Sequence, residues 1–347
     1  MAKITRRTLL SRPVQQIDLS KAETVADLVE AFKRASIQAR NIGRAAEVYE
    51  NMLLDKDRPT VILGLSGPLI AAGLRKVIRD LVDRGLVDVL VSTGAILYQD
   101  IYQARGYRHY MGSPFADDAI LRDYAIDRIY DTYVDEEKFE ETDRFIADII
   151  SSMGAGRYSS REVLDRLGAE IKDSESIVGT AYRRGVPMFS PALNDSSIGI
   201  GLTLLHFRQM GMKEAFALDS IKDNRELVQI ILESKKTGVI YIGGGTPKNW
   251  INDAEVMAGY AFNSEIKGHS YAIQLTTDAP HWGGLSGSTL EEARSWGKIQ
   301  KKATVATAYV EASIGLPLLA AYVMGRKLDR GRRRLRFKWS GNEFSLS

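Results

Sequence analysis

The chain has 347 residues, 44% apolar and 26% charged, values that allow a sizeable core and exclude a disordered or fibrous protein. Its 47 basic and 44 acidic residues leave a formal charge of +3, too small an excess to argue for a nucleic-acid coat. Cysteine is absent, which excludes disulfides, thiolate nucleophiles and Cys-ligated zinc and makes the cytoplasm the expected compartment.

The opening MAKITRRTLLSRPVQQ is basic but has no apolar signal-peptide core. No apolar run reaches the ~18 residues of a membrane span, so neither feature is expected. From Ser20 to Leu54, apolar residues at Val25, Leu28, Val29, Phe32, Ile37 and Ile42 recur near the helical period and predict two helices broken near Ser36. After Pro59, TVILGLSG reads as a buried strand entering a glycine turn. The following LIAAGLRKVIRDLVDRG reads as an amphipathic helix stopped at Gly85.

VDVLVSTG repeats the pattern, and GVPMFSPALND, EAFALDS, TGVIYIGGGTPK, SYAIQLTTDAP and TVATAYVEAS extend it. Each is an apolar run ending in Gly, Ser, Thr, Asp or Glu. With helical stretches such as SREVLDRLGAEI and NRELVQIILESKK between them, they predict an α/β fold: a doubly wound, mostly parallel sheet with helices on both faces. No linker composition or internal repeat divides it, so residues 1–325 are expected as one domain with a helical N-terminal segment over about 1–55. Residues 326–347, opening RKLDRGRRRLRFK, are expected as a basic tail, solvated or used in a contact. In open parallel sheets ligands sit outside the carboxyl ends of the strands, which sets the place to search.

Gly243, Gly244 and Gly245 follow one such strand and let backbone approach a phosphate or ring, although they serve a tight structural turn equally well. The sequence continues Thr246, Pro247, Lys248, so the site is Rossmann-like without GxGxxG. SGSTLEEARSWGK has capping-box spacing from Ser288 to Glu291 or Thr289 to Glu292 and opens a helix. On it Glu292 and Trp296 are i, i+4 neighbours, a carboxylate and an aromatic face suited to an organic cation. Their bland counterparts are a cap and a core residue. Lys298 follows Gly297, where a helix stops; on spacing alone it is a surface lysine, and a nucleophilic role requires burial that lowers its charge. His109, His206, His269 and His281 are scattered, and HExxH, GxSxG and Walker patterns are missing. No metal, hydrolase or NTP-driven chemistry is expected.

The run RSWGKI at 294–299, with upstream GGGTPK and SPALND and downstream YVEASIGLPLLAA, resembles the deoxyhypusine synthase family in order and spacing from about Ile17 to about Tyr322. The resemblance implies NAD-dependent aminoalkyl transfer. A donor amine is oxidised, its fragment passes to Lys298 as an imine, an acceptor amine displaces the lysine, and the new imine is reduced. It places NAD contacts on the tract Gly67 to Ala71, including Leu69, on Thr93, Gly94 and Ala95, and on Asp195. Further contacts fall on Gly243, Gly244 and Gly245, on Thr277, and on Glu311 with Ala312. It places the amine beside Glu292 and Trp296, with Asn249 and Gln99 standing where the family has a histidine and a glutamate.

Departures accompany these matches: Gly67 and Pro68 replace a Ser-Asn-rich turn, Glu311 and Trp282 replace aspartates, Ile200 and Leu285 replace two more, and an insertion lies between Asp253 and Ser270. Missing carboxylates leave a polycation's buried ammonium groups unpaired. The expected reaction is therefore transfer of a 4-aminobutyl-type group to a small amine, giving a homospermidine-type product. The alternatives are deoxyhypusine synthesis proper, from spermidine onto a translation-factor lysine, and an NAD-dependent amine oxidoreductase or non-catalytic homologue. The resemblance also implies a homotetramer; neither nucleic acid nor membrane is an expected partner.

Overall fold

A computed structural model describes residues 5–347. Six strands form the central sheet: β1 (Thr60–Leu65), β2 (Val89–Ser92), β3 (Met188–Phe189), β4 (Thr237–Ile242), β5 (His269–Thr276) and β6 (Ile299–Tyr309). Their order is β6-β5-β4-β1-β2-β3, every pairing parallel. This is the doubly wound order, and it reverses between β1 and β4. The four inner strands read as nearly continuous apolar runs because both faces are covered.

Alternation along β1 shows the two layers. Val61, Leu63 and Leu65 face α1 (Val25–Phe32), α2 (Ile37–Leu54), α3 (Arg75–Asp83) and the last long helix, while Ile62 faces the other layer. On the first side also lies α4 (Gly94–Ala104), which follows β2. The second layer contains α5 (Ser220–Glu233), α6 (Gly245–Phe262) and α7 (Leu290–Ser295); α8 (Ala312–Gly325) belongs to the first. The break near Ser36 falls where expected, with Thr24 and Asp27 forming a capping box at the start of α1.

Three expectations change. EAFALDS forms a strand, Phe216–Leu218, but it pairs with Gly156–Tyr158 in a separate two-stranded sheet. It is short and only half-buried, unlike the buried inner strands. The helix after β1 begins at Arg75, because Leu69 to Gly73 turn tightly and Gly73 adopts φ +83°. The segment 326–347, expected as a tail, packs on the domain: Phe337–Ser340 and Glu343–Leu346 pair as a hairpin, and Trp339 stacks under Arg161 at 4.2 Å. Arg332 and Arg58 both bind the buried Asp88, at 2.9 and 2.8 Å. An internal carboxylate needs such partners, and they hold the basic segment in place.

Candidate active site

The expected cofactor residues converge. Gly67 follows β1, Thr93 follows β2, Asp195 lies in the turns after β3, Gly243 to Gly245 follow β4, Thr277 follows β5 and Glu311 follows β6. In a parallel sheet these positions share one edge, and the glycines flank the reversal between β1 and β4. Gly94 and Gly245 open helices α4 and α6 at that edge, neither with a side-chain cap. Their free N–H groups favour an anionic group such as a phosphate. Gly67, at φ +93°, has open space where a Cβ would stand. These features fit a dinucleotide.

Two members of the set are committed elsewhere. Leu69 puts its side chain in the core, which leaves only its backbone for a ligand. Glu311 caps α8 by accepting the Ser313 N–H at 2.8 Å. Ala95 and Ala312 occupy the first turns of α4 and α8 at the same edge.

The glycine turn continues into a second, narrower site. A Cβ on Gly244 would lie 2.4 Å from Ser286 Cα, so glycine allows the loop before α7 to close over the turn. Ser66 donates to Gly244 O at 2.6 Å, and Gln274 ties Gly243 O to Ser286 O. Behind this loop, α6 and α7 enclose a cavity of about 300 Å³ lined by Lys248, Asn249, Asp253, Glu292, Trp296 and Lys298 among others.

Local structure fixes Lys298 there. Thr289 is the N-cap of α7, accepting from Glu292 N at 2.9 Å, which selects the second of the two possible capping registers. At the other end Gly297 takes φ +75°. Gly297 N–H bonds Arg294 O and Lys298 N–H bonds Ala293 O, both at 3.1 Å. This is a Schellman stop, with Lys298 as the residue after the left-handed glycine. Lys298 O then accepts from His269 N at 2.9 Å. The lysine thus stands at the amino end of β6, not at a carboxyl end, and its side chain enters the groove between α6 and α7.

Its side chain is 14% exposed, so the surface reading fails. Nζ lies 2.8 Å from Asp253 Oδ1, donates to Asn249 Oδ1 at 3.3 Å and sits 5.4 Å from the Trp296 ring centroid. Asn249 in turn donates to Asp253 Oδ2 at 2.8 Å. Trp296 is 65% exposed, an open aromatic wall instead of core. Lys248 is buried and donates to Leu285 O, Ser288 O and Ser288 Oγ, all neutral acceptors. Burial, reinforced by the charge on Lys298 and opposed by Glu292 and Asp278, brings its pKa down to about 8.

Gln99 is not in this cavity. It is buried on α4 after β2, with β1, β4 and β5 between β2 and the strand that follows Lys298. Leu285 lines the cavity, whereas Ile200 and Trp282 are exposed and do not. Sequence reasoning missed Asp253 and gave Lys248 no role. Lys248, Asn249, Asn252 and Asp253 share one helical face directly after the glycines, a signal present in the spacing.

The fold and its carboxyl edge define a doubly wound α/β protein with a Rossmann-like ligand edge. A family model for deoxyhypusine synthase matches residues 27–323. A protein of Methanosarcina mazei named "Probable deoxyhypusine synthase 2" is 43% identical over 335 residues, 95% of each chain. A "Deoxyhypusine synthase-like protein" of Chlorobaculum tepidum is 44% identical over 330 residues, 93% of this chain and 92% of that one. A crystal structure from Entamoeba histolytica, assigned to deoxyhypusine synthase, shares the fold at TM-score 0.61 and 18% identity, covering 92% of this chain and 98% of that one. The chain belongs to the deoxyhypusine synthase family, a family of transferases.

Proposed function

We propose that the protein is an NAD-dependent aminoalkyl transferase of the cytoplasm that works through an imine on Lys298, with a small amine as acceptor. The observation that carries this reading is the cavity's composition around Lys298. Bound NAD would supply the hydride acceptor and later the hydride donor. The chain's own residues do the rest. Trp296 and Glu292 seat the cationic end of the amine. Asn249 and Asp253 aim Lys298, whose amine adds to the substrate imine carbon as the C–N bond to the departing amine breaks. Lys248, with its pKa near 8, exchanges protons close to neutral pH. The acceptor amine then displaces Lys298 from the same carbon.

Charge balance supports a small substrate. Two lysines, Lys248 and Lys298, and two carboxylates, Asp253 and Glu292, line the cavity. Lys298 occupies Asp253, which leaves Glu292 for a single substrate ammonium. A long polycation would bring further charges without partners. Purified protein with NAD, putrescine, agmatine, spermidine and a candidate protein acceptor, read by mass spectrometry, tests the reading: homospermidine-type products are expected. A second reading, butylamine transfer from spermidine to a translation-factor lysine, draws on the names of the archaeal relatives and on the open mouth at Trp296. Efficient modification of that lysine with spermidine as sole donor would place it first.

A homotetramer is part of the proposal. Met111, Phe115 and Tyr130 are highly exposed. Met111 and Tyr130 line, with Pro68 and Glu311, a cavity of about 720 Å³ at the cofactor edge, a placement suited to a subunit contact.

A further inference from the structure

Next to the turn that carries Lys298, and outside the cavity lining, lies a buried polar cluster that the proposed reaction does not use. Glu255 on α6 is 2% exposed and His269, at the start of β5, is 0% exposed. Glu255 Oε2 accepts the Gly268 N–H at 2.9 Å, and its Oε1 accepts from Thr237 Oγ1 at 3.2 Å. Thr237 Oγ1 is 2.8 Å from His269 Nδ1, which lies 3.3 Å from Glu255 Oε1. Burial pushes the His269 pKa below its ordinary value, against the opposing pull of Glu255. Because the Thr237 hydroxyl donates to Glu255, it accepts from His269 Nδ1–H, and the two hydrogen bonds run from the ring through Thr237 to the carboxylate. Such an enclosed carboxylate persists only where its acceptor capacity is filled.

The cluster ends on the backbone of Lys298. The residues tied down by Glu255, Gly268 and His269, bear directly on the turn that presents the lysine. His269 N–H holds Lys298 O at 2.9 Å. Gly268 adopts φ +71°, and a Cβ there would lie 2.8 Å from Gly297 O and 2.9 Å from Gln300 N. Two residues upstream of Glu255 on the same helix, Asp253 binds Nζ of the same lysine. Helix α6 therefore grips Lys298 at both ends, the side chain through Asp253 and the main chain through Glu255.

We propose that Glu255 is a positioning residue for Lys298, acting through Gly268 and His269. This rests on the reading of Lys298 as the imine-forming nucleophile. Reactive geometry tolerates little displacement, and a shift of about 1 Å can cost roughly 100-fold in rate. Glu255→Ala removes the acceptor of the Gly268 N–H. Glu255→Gln keeps an acceptor for it and can turn its amide to Thr237, whose hydroxyl then donates to His269. Gly268→Ala leaves that N–H in place and instead presses a methyl on Gly297 O and Gln300 N, the backbone on either side of Lys298.

Two measurements test this on the full-length protein. The first is the rate of reductive alkylation of Lys298 by butyraldehyde and cyanoborohydride, followed by peptide mass spectrometry, which needs neither NAD nor a known donor. The second is kcat and KM for whichever amine pair the wild type turns over. Glu255→Ala and Gly268→Ala are expected to lower kcat about 100-fold with KM within about 2-fold, and to slow labelling of Lys298 relative to Lys301 and Lys302. Glu255→Gln should recover most of the rate. Each is compared at a temperature where circular dichroism shows it folded, since a purely structural role would lower the melting temperature while leaving kcat of the folded enzyme intact. Wild-type labelling and kcat in a folded Glu255→Ala or Gly268→Ala overturns the proposal and leaves the Lys298 reading standing. If the variants do not fold, equal loss of labelling in Glu255→Gln overturns it instead. Absence of any wild-type transfer sinks the reading itself, while the labelling arm still judges Glu255.

Discussion

Lys298 shows how differently one residue reads in the sequence and in the fold. Its motif was visible in Ser295-Trp296-Gly297-Lys298, but its burial was not, because the walls come from α6, some forty residues upstream in the chain. Asp253 escaped notice for the same reason: an aspartate on a helix becomes an ion-pair partner only when a second helix delivers the lysine. Lys298→Arg keeps the charge and removes the deprotonatable amine. Transfer is expected to fall by orders of magnitude while the melting temperature and NAD binding hold, as judged by product analysis, thermal unfolding and calorimetry. Lys248 gives a pH prediction. Its folded-state pKa, about 8, lies below the ordinary lysine value of 10.5. The unfolded chain therefore binds more protons between these values, and the lysine's contribution to stability rises with pH across that window. The melting temperature of the wild type minus that of Lys248→Met should increase from pH 7.5 to pH 10; a flat difference would contradict the depressed pKa.

At the scale of elements, the six strands of the central sheet were legible as apolar runs with polar ends, because burial on both faces writes itself into composition. Strand order was not legible, and it is what separates Gln99 from Lys298. EAFALDS carried the same local signal as its neighbours, yet its half-buried strand pairs with Gly156–Tyr158 outside the central sheet. The closing of loop 283–288 on the glycine turn likewise depends on contacts distant in sequence. Gly244→Ala puts a methyl against Ser286 at 2.4 Å and must push that loop away. A lower melting temperature and loss of the thermal shift with millimolar NAD are expected; an unchanged NAD shift would separate the glycine turn from the cofactor.

At the scale of the molecule, the C-terminal segment illustrates what charge composition hides. A run of arginines looks solvated, yet the Arg332 side chain is 3% exposed against Asp88. Arg332→Ala leaves Asp88 with Arg58 as its one cationic partner and is expected to cost about 3 kcal/mol in chemical denaturation, whereas Arg330→Ala, on the exposed surface, should be near neutral. The exposed side chains Met111 and Phe115 predict an assembly, and light scattering at micromolar concentration should give a tetramer; a monomer would contradict that placement. Lys298 is proposed to form the transfer imine, and trapping tests this. Borohydride added during turnover with NAD and the active amine should leave a mass increment on the peptide containing Lys298, absent from Lys298→Arg. Product formation with no adduct there, or an adduct on Lys248, Lys301 or Lys302 instead, would contradict it.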